Sequence, residues 1–179
     1  MNRDKTIHFD IRNELSRDHN RVTLIGLPIA LHCHHYNIGL QKALEDTLEE
    51  DGIELLFKAS EKISYLSFQS FFNKHKQIRT IKSKLEFAGT IFQNCGLGTI
   101  YFRQVRPKRA RVVSPFSHHV TAWLSKYAAR KTPGCHFSRG WIAGVLEAIY
   151  NHPLGYYDVK EKSCKMKRDH QCVFLVKGR

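Results

Sequence analysis

The sequence predicts an α+β domain with helices packed on a small antiparallel sheet. Three observations carry this: apolar residues recur at helical spacing through the first half, the period changes to two after Gly98, and helices and strands never alternate as βαβ units. The 179 residues make one domain, long enough to hide roughly 70% of the unfolded surface.

Residues 1–20, rich in Arg, Asn, Asp and His, show little apolar periodicity and read as an N-terminal arm or short edge element, leaving 21–179 as the domain. Arg21 to Ile25 is a short extended entry. From Pro28, at a first helical turn, apolar positions Leu31, Ile38, Leu40, Leu44 and Leu48 predict a helix. The acidic cluster Glu49, Glu50, Asp51 and then Gly52 end it. A second helix spans Ile53 to Asn73, its stripe marked by Leu56, Ala59, Ile63, Leu66 and Ser70. A third covers Ile78 to Asn94, with Ile81, Leu85, Ala88 and Phe92 on one face and Gly96 and Gly98 as stops.

Thr99–Val105 and Arg111–Val113 are rich in β-branched and aromatic residues and flank the turn Pro107-Lys108-Arg109, which predicts a hairpin. A helix from Ser117 to Arg130 follows, broken by Pro133 and Gly134. His136 to Tyr150 form the last helix, where Gly140 and Gly144, four residues apart, permit close backbone approach. Tyr156–Glu161 and Cys172–Lys177 close the chain as two strands around a polar turn.

The 29 Lys and Arg outnumber the 16 Asp and Glu, a net charge of +13 that suits nucleic acid, an anionic membrane surface or an acidic ligand. These cations are dispersed over Lys74–Lys84, Arg103–Arg111, Lys126–Lys131, Lys160–Arg168, Lys177 and Arg179, and the aromatics do not alternate with them. A solvated basic surface is the commoner meaning of that distribution. Nucleic-acid binding therefore stands third among the functional readings, carried by charge alone. The longest uncharged apolar run, Leu24 to Leu31, is too short to span a bilayer. Met1–Asp10 carries Arg3, Asp4, Lys5 and Asp10 where a signal peptide needs an apolar core, so a cytoplasmic protein is expected.

Five cysteines in such a chain are thiols or metal ligands sooner than disulfide partners. Cys164 and Cys172 flank the polar turn, Glu161 precedes Cys164 by three residues, and Cys135 precedes the glycine-bearing helix. Thiolates and a carboxylate suit tetrahedral zinc. The Cys-x7-Cys spacing is looser than a usual knuckle, and ordinary buried cysteines are the alternative. The histidines also cluster. His32 and His35 stand three apart and His32 and Tyr36 four apart, giving a candidate second site for a metal or ligand, with a solvated or interface helix as the alternative. His118 and His119 open the helix that carries Trp123 and Tyr127.

Three segments carry a family resemblance: Gly134-Cys135-His136-Phe137-Ser138-Arg139-Gly140-Trp141-Ile142-Ala143-Gly144, Tyr157-Asp158-Val159-Lys160-Glu161-Lys162-Ser163-Cys164, and His170-Gln171-Cys172-Val173-Phe174. Together they resemble the 4-vinyl reductase domain family, which includes the phenol-sensing input domains of activators of aromatic catabolism and a protein associated with bacteriochlorophyll 4-vinyl reduction. Its fold is similar to that of TRAPP trafficking-complex subunits. The resemblance is specific over Gly134 to Val176; upstream it rests on helix order and length. It implies a structural zinc on Cys135, Glu161, Cys164 and Cys172, with no coordination position left open. It also implies a homodimer. The ligand-contacting His and Trp of the phenol sensors have no clear equivalents here.

The leading functional expectation is a stand-alone sensor-type domain that binds a small hydrophobic ligand without catalysis. Its apolar pocket for an aromatic or tetrapyrrole-like molecule draws on Phe116, His118, His119, Trp123, Tyr127 and Trp141. No phosphate-binding G-x-x-x-x-G-K-[ST] loop occurs, so any signal passes to a separate effector protein. The second expectation, from the family's other branch, is an enzyme or accessory protein of tetrapyrrole metabolism, with histidines as haem ligands and surface cations pairing with propionates. Against a reductase, Gly96-Leu97-Gly98 lacks a third glycine and precedes a strand.

Overall fold

The chain enters through a small antiparallel sheet. The computed structural model describes residues 11–30 and 32–179, with the backbone alone at 11 and 12. One helical turn, α1 (Ile11–Glu14), leads into β1 (Leu15–Asp18), β2 (Arg21–Leu24) and β3 (Leu27–Ile29), paired in that order. The first ten residues of the predicted arm lie outside the described residues. Pro28 does not open a helix: it sits in β3 opposite Thr23, on an edge strand where a missing N–H breaks no ladder. The helix starts only at His34.

That helix, α2 (His34–Lys74), breaks at Glu49, whose φ of 49° and ψ of −121° are far from helical. The break falls at the predicted acidic cluster. The two arms fold back on each other so tightly that a Cβ on Gly52 would lie 2.2 Å from the Leu44 carbonyl oxygen. α3 (Ile81–Asn94) begins with a capping box in which Thr80 and Ser83 bond each other's backbone N–H. Its buried face is Phe87, Ala88, Ile91 and Phe92, so Ile81 of the expected face is exposed and Leu85 only half-buried.

β4 (Gly98–Arg106) and β5 (Arg109–Ser117) form the predicted hairpin, with Pro107 and Lys108 at its turn. α4 (His118–Lys126) is shorter than expected because the chain turns extended at Tyr127. Two bonds hold it off the helix: the Trp123 indole N–H donates to the Ala128 carbonyl at 2.9 Å, and the Arg130 N–H to that of Met166 at 2.8 Å. α5 (His136–Tyr150) has the predicted bounds and ends on Asn151 in the left-handed region. β6 (Tyr157–Ser163) and β7 (Cys172–Gly178) complete a four-stranded antiparallel sheet of order β4-β5-β7-β6.

α5 is buried on nearly every side, sandwiched between the sheet and the second arm of α2. Its glycines make that possible. A Cβ on Gly140 would meet the Phe57 carbonyl oxygen at 2.1 Å, and one on Gly144 the Glu61 carbonyl oxygen at 2.2 Å. Such proximity selects small α2 residues, and Ser60 and Ser64 are buried there beside Phe57, Glu61 and Phe68. The stripe Leu56, Ala59, Ile63, Leu66 faces away from α5; Ile63 is 59% exposed. Helical spacing identifies an apolar stripe but not what covers it.

A buried carboxyl pair sits at the same contact. Glu147 accepts the Tyr156 and Tyr157 N–H groups at 2.9 and 3.3 Å. Burial, reinforced by the nearby Glu61 charge, pushes its acid up to about 8.

Gly144→Ala should lower unfolding stability by about 2–3 kcal/mol, because backbone must move to admit one methyl. Urea denaturation measures it, and a wild-type midpoint would mean that the two helices do not approach this closely.

Candidate functional site

Cys135, Glu161, Cys164 and Cys172 converge at one end of the sheet. Cys135 precedes α5, Glu161 lies in β6, Cys164 follows β6 at a 3-10 turn (Lys165–Lys167), and Cys172 opens β7. Their ligand atoms all lie within 4.8 Å of one another, in a cluster that can hold a metal ion. The Cys135 Sγ is 3.9 Å from that of Cys164 and 3.7 Å from that of Cys172. Tetrahedral zinc with Zn–S bonds of about 2.3 Å requires sulfur separations of about 3.8 Å.

The surroundings match a metal. One Glu161 oxygen accepts the Cys135 N–H at 3.0 Å; the other is buried with no hydrogen-bond partner. Burial, with the neighbouring Cys164 charge, pushes the Glu161 acid up to about 8, an expensive state that a cation would relieve. The neighbouring Cys135 and Cys172 thiols hold the Cys164 thiol well below its usual range. The turn between the strands is shaped around the sulfurs: the Lys165 N–H points at the Cys172 Sγ at 3.4 Å, and the Asp169 carboxylate accepts the Cys164 N–H at 2.7 Å.

A buried ionic network unseen in the sequence holds the approach to Cys135. Arg130 donates to both Glu45 oxygens at 3.0 and 2.7 Å, and the His136 Nε2 lies 3.2 Å from one of them. Gln41 bridges from Glu45 to the Gly134 carbonyl, and the Arg130 guanidinium stacks on Trp123 at 4.4 Å. Burial alone would push the Glu45 acid up. The close His136 imidazole and the hydrogen bonds from Gln41 and Arg130 outweigh it and hold the acid down at about 2. These partners are up to 93 residues apart. No local spacing signals them.

The predicted pocket residues separate into four places. His118 and His119 stand together, rings 3.8 Å apart, in a groove of about 420 Å³. Its walls come from both α2 arms (Leu40, Gln41, Leu56, Ile63), Leu97 and Phe137, none anticipated as lining. Trp123 and Tyr127 lie with ring centres 4.8 Å apart and planes tilted by 50°, and the Arg130 guanidinium covers Trp123. Trp141 is core, edge-on to Phe68 and Phe92 at 5.6 and 4.7 Å. Phe116 points outward, 67% exposed, with the Lys165 ammonium over its ring.

His119 is the buried anchor of the groove, 4% exposed and stacked on Phe137 at 5.2 Å. Desolvation, then the His118 and His136 charges, hold its imidazole well below the usual range, so it is neutral at pH 7. Its Nδ1 has no partner among the described residues. Of the candidate second site, His32 precedes α2 and stacks on Tyr36 at 4.7 Å, and His32, His35 and Tyr36 are all exposed. No described helix is long and apolar enough to cross a membrane.

No protein-family model matches the chain, and no curated protein matches it in sequence. Solved structures do. The phenol-responsive sensory domain of the transcription activator PoxR, with phenol, superposes with a TM-score of 0.81 at 14% identity, over 94% of this chain and 86% of that one. A trafficking protein particle complex subunit 3 from Naegleria fowleri, covalently bound to palmitic acid, gives 0.57 at 14% identity, over 82% and 95%. A vinyl-4-reductase family protein from Methanocaldococcus jannaschii gives 0.47 at 16% identity, over 81% and 92%. The α+β fold anticipated from helices followed by strands without βαβ alternation is thus the fold of this chain.

Glu45→Gln should lower stability at pH 7 by about 1–3 kcal/mol. The folded acid lies below its unfolded value of 4.5, so its contribution is full above that pH and drains away toward about 2. Wild type should therefore lose stability over that acid range more steeply than the variant in urea melts. Parallel pH profiles would refute the assignment.

Proposed function

We propose that this chain is a small-molecule-binding module of the sensor type, with its ligand seat in the groove around His119 and its frame stapled by a structural zinc. One observation carries the ligand reading: a neutral, buried imidazole with an unpartnered Nδ1 lines a mostly apolar groove. An unpaired buried polar atom costs about 1–3 kcal/mol, which a ligand hydroxyl or carboxyl would recover. The fitting ligand class is therefore a small aromatic or acyl molecule with a single hydrogen-bonding group. Support also comes from the PoxR sensory domain, a protein of the same fold described with phenol.

The zinc reading rests on the sulfur separations and the orphaned Glu161 oxygen. Four protein ligands leave no position for substrate, so the ion would fasten Cys135 to the β6–β7 turn and take no part in chemistry. The purified protein should carry about one zinc per chain by elemental analysis. Cys164→Ser or Cys172→Ser should lose it and melt about 10 °C lower. Unchanged metal content and melting in both variants would remove zinc from the proposal.

Trp123 and Trp141, the two tryptophans, report on the ligand. Titration with phenol, alkylphenols, palmitate and haemin should quench fluorescence for at least one of these, and His119→Ala should weaken that ligand about tenfold. Trp123→Phe, which alters packing under Arg130, should bind normally. Silence from every ligand, or a His119→Ala variant that binds like wild type, would sink the groove as the seat.

A further inference from the structure

We infer that the outward face of the four-stranded sheet binds single-stranded nucleic acid. This is independent of the groove and the zinc. The helices cover one face of the sheet, where Ile100, Ala110, Val112, Val159, Phe174 and Val176 are buried. The alternate residues form the other face.

Strand register arranges those residues in rows. Arg103 pairs with Arg111, Arg111 with Leu175, and Leu175 with Lys160, making one row across all four strands. The next runs Arg106, Arg109, Lys177, Asp158. Segments that sequence keeps dozens of residues apart thus supply one cationic grid, with all six Lys and Arg side chains exposed. Asp158 is its only acid and pairs with Lys160 at 3.7 Å. Among the described residues, Arg103, Arg106, Arg109, Arg111 and Lys177 make no ion pair. Like charges directly opposite each other destabilise a sheet, and here Arg103 faces Arg111, Arg106 faces Arg109, and Arg109 faces Lys177.

A lone phosphate would leave most of that repulsion in place, whereas a chain of phosphates neutralises successive cations. Guanidinium forks suit phosphate oxygens. The site is also concave: Gln104, Arg106, Arg109, Arg111 and Leu175 line a groove of about 560 Å³. A flexible strand enters such a groove and a bilayer surface does not. Tyr101 supplies the remaining element. It is 46% exposed beside Arg103, whose guanidinium lies 5.2 Å from its ring, and is placed to stack on an unpaired base. Leu175 is the one large exposed apolar side chain within the two rows, too little for insertion into lipid.

The test is fluorescence anisotropy of a labelled fifteen-nucleotide oligothymidylate across a salt series. Affinity should be micromolar at low salt and fall with a log–log slope of about −2 to −4, as expected for three to six phosphates. Arg103→Ala/Arg109→Ala/Arg111→Ala should bind at least about tenfold more weakly, with the slope reduced by about 2. Tyr101→Ala should bind about fivefold more weakly or worse, with the slope unchanged, since stacking releases no counterions. Because its repulsion is relieved, the triple variant should melt no lower than wild type, which separates lost binding from lost fold. Lys58→Ala/Lys62→Ala/Lys82→Ala removes equal charge from exposed helical positions and should stay within about twofold of wild type. The inference is overturned if that control loses as much affinity as the sheet variant, if Tyr101→Ala binds normally, or if phosphatidylserine vesicles bind the protein while the oligonucleotide does not.

Discussion

The backbone-to-backbone contact of α5 with the second arm of α2 is the constraint on which the rest of the domain depends. Only hydrogen at the Gly140 and Gly144 side-chain positions lets the helices meet at Phe57 and Glu61. The contact sets the rotation of α2, burying Ser60 and Ser64 and turning Ile63 and Leu66 outward. It also sets the axis of α5, whose first turn delivers Cys135 and His136 to the end of the sheet and Phe137 to the groove.

The first arm of α2 depends on that placement in turn. Folded back at Glu49, it brings Gln41 and Glu45 against the segment from Arg130 to His136. The charges there are satisfied to a degree that the sheet surface never approaches. Glu45 accepts from Arg130 and Gln41 in a largely dry setting, and removing Arg130 would leave an uncompensated buried charge. The groove lies between this fixed network and α4, so its shape is inherited from both. His119, buried yet lacking a partner at Nδ1, departs from the rule that buried polar groups are satisfied.

Two kinds of positive charge therefore coexist. Arg130 is paired, stacked and structural, while the arginines of β4 and β5 are exposed and repel one another. Folding gains nothing from the second group; solvent screening makes it tolerable. The sulfur cluster is a third case, a set of donors whose internal hydrogen bonds are a poor substitute for a cation.

Much of the fold was legible in the sequence. The break at Glu49–Gly52, the hairpin turn at Pro107–Lys108, the bounds of α5 and the four cluster residues are local or motif-borne signals, and each is where the residues placed it. Pro28 was misread because a fixed φ near −65° suits a first helical turn as well as an edge strand, and only pairing with Thr23 distinguishes them. The α4 end was misplaced because its terminating bonds run to Ala128 and Met166 and not to a cap residue. The face of α2, the grouping of His118 and His119 with Leu40 and Phe137, and the gathering of dispersed cations into one grid were decided by tertiary structure alone. Periodicity states that a helix or strand has two faces. Which of them meets a partner follows from contacts between segments far apart in the chain, and those are fixed only when glycine-thin helices and strand register bring them together.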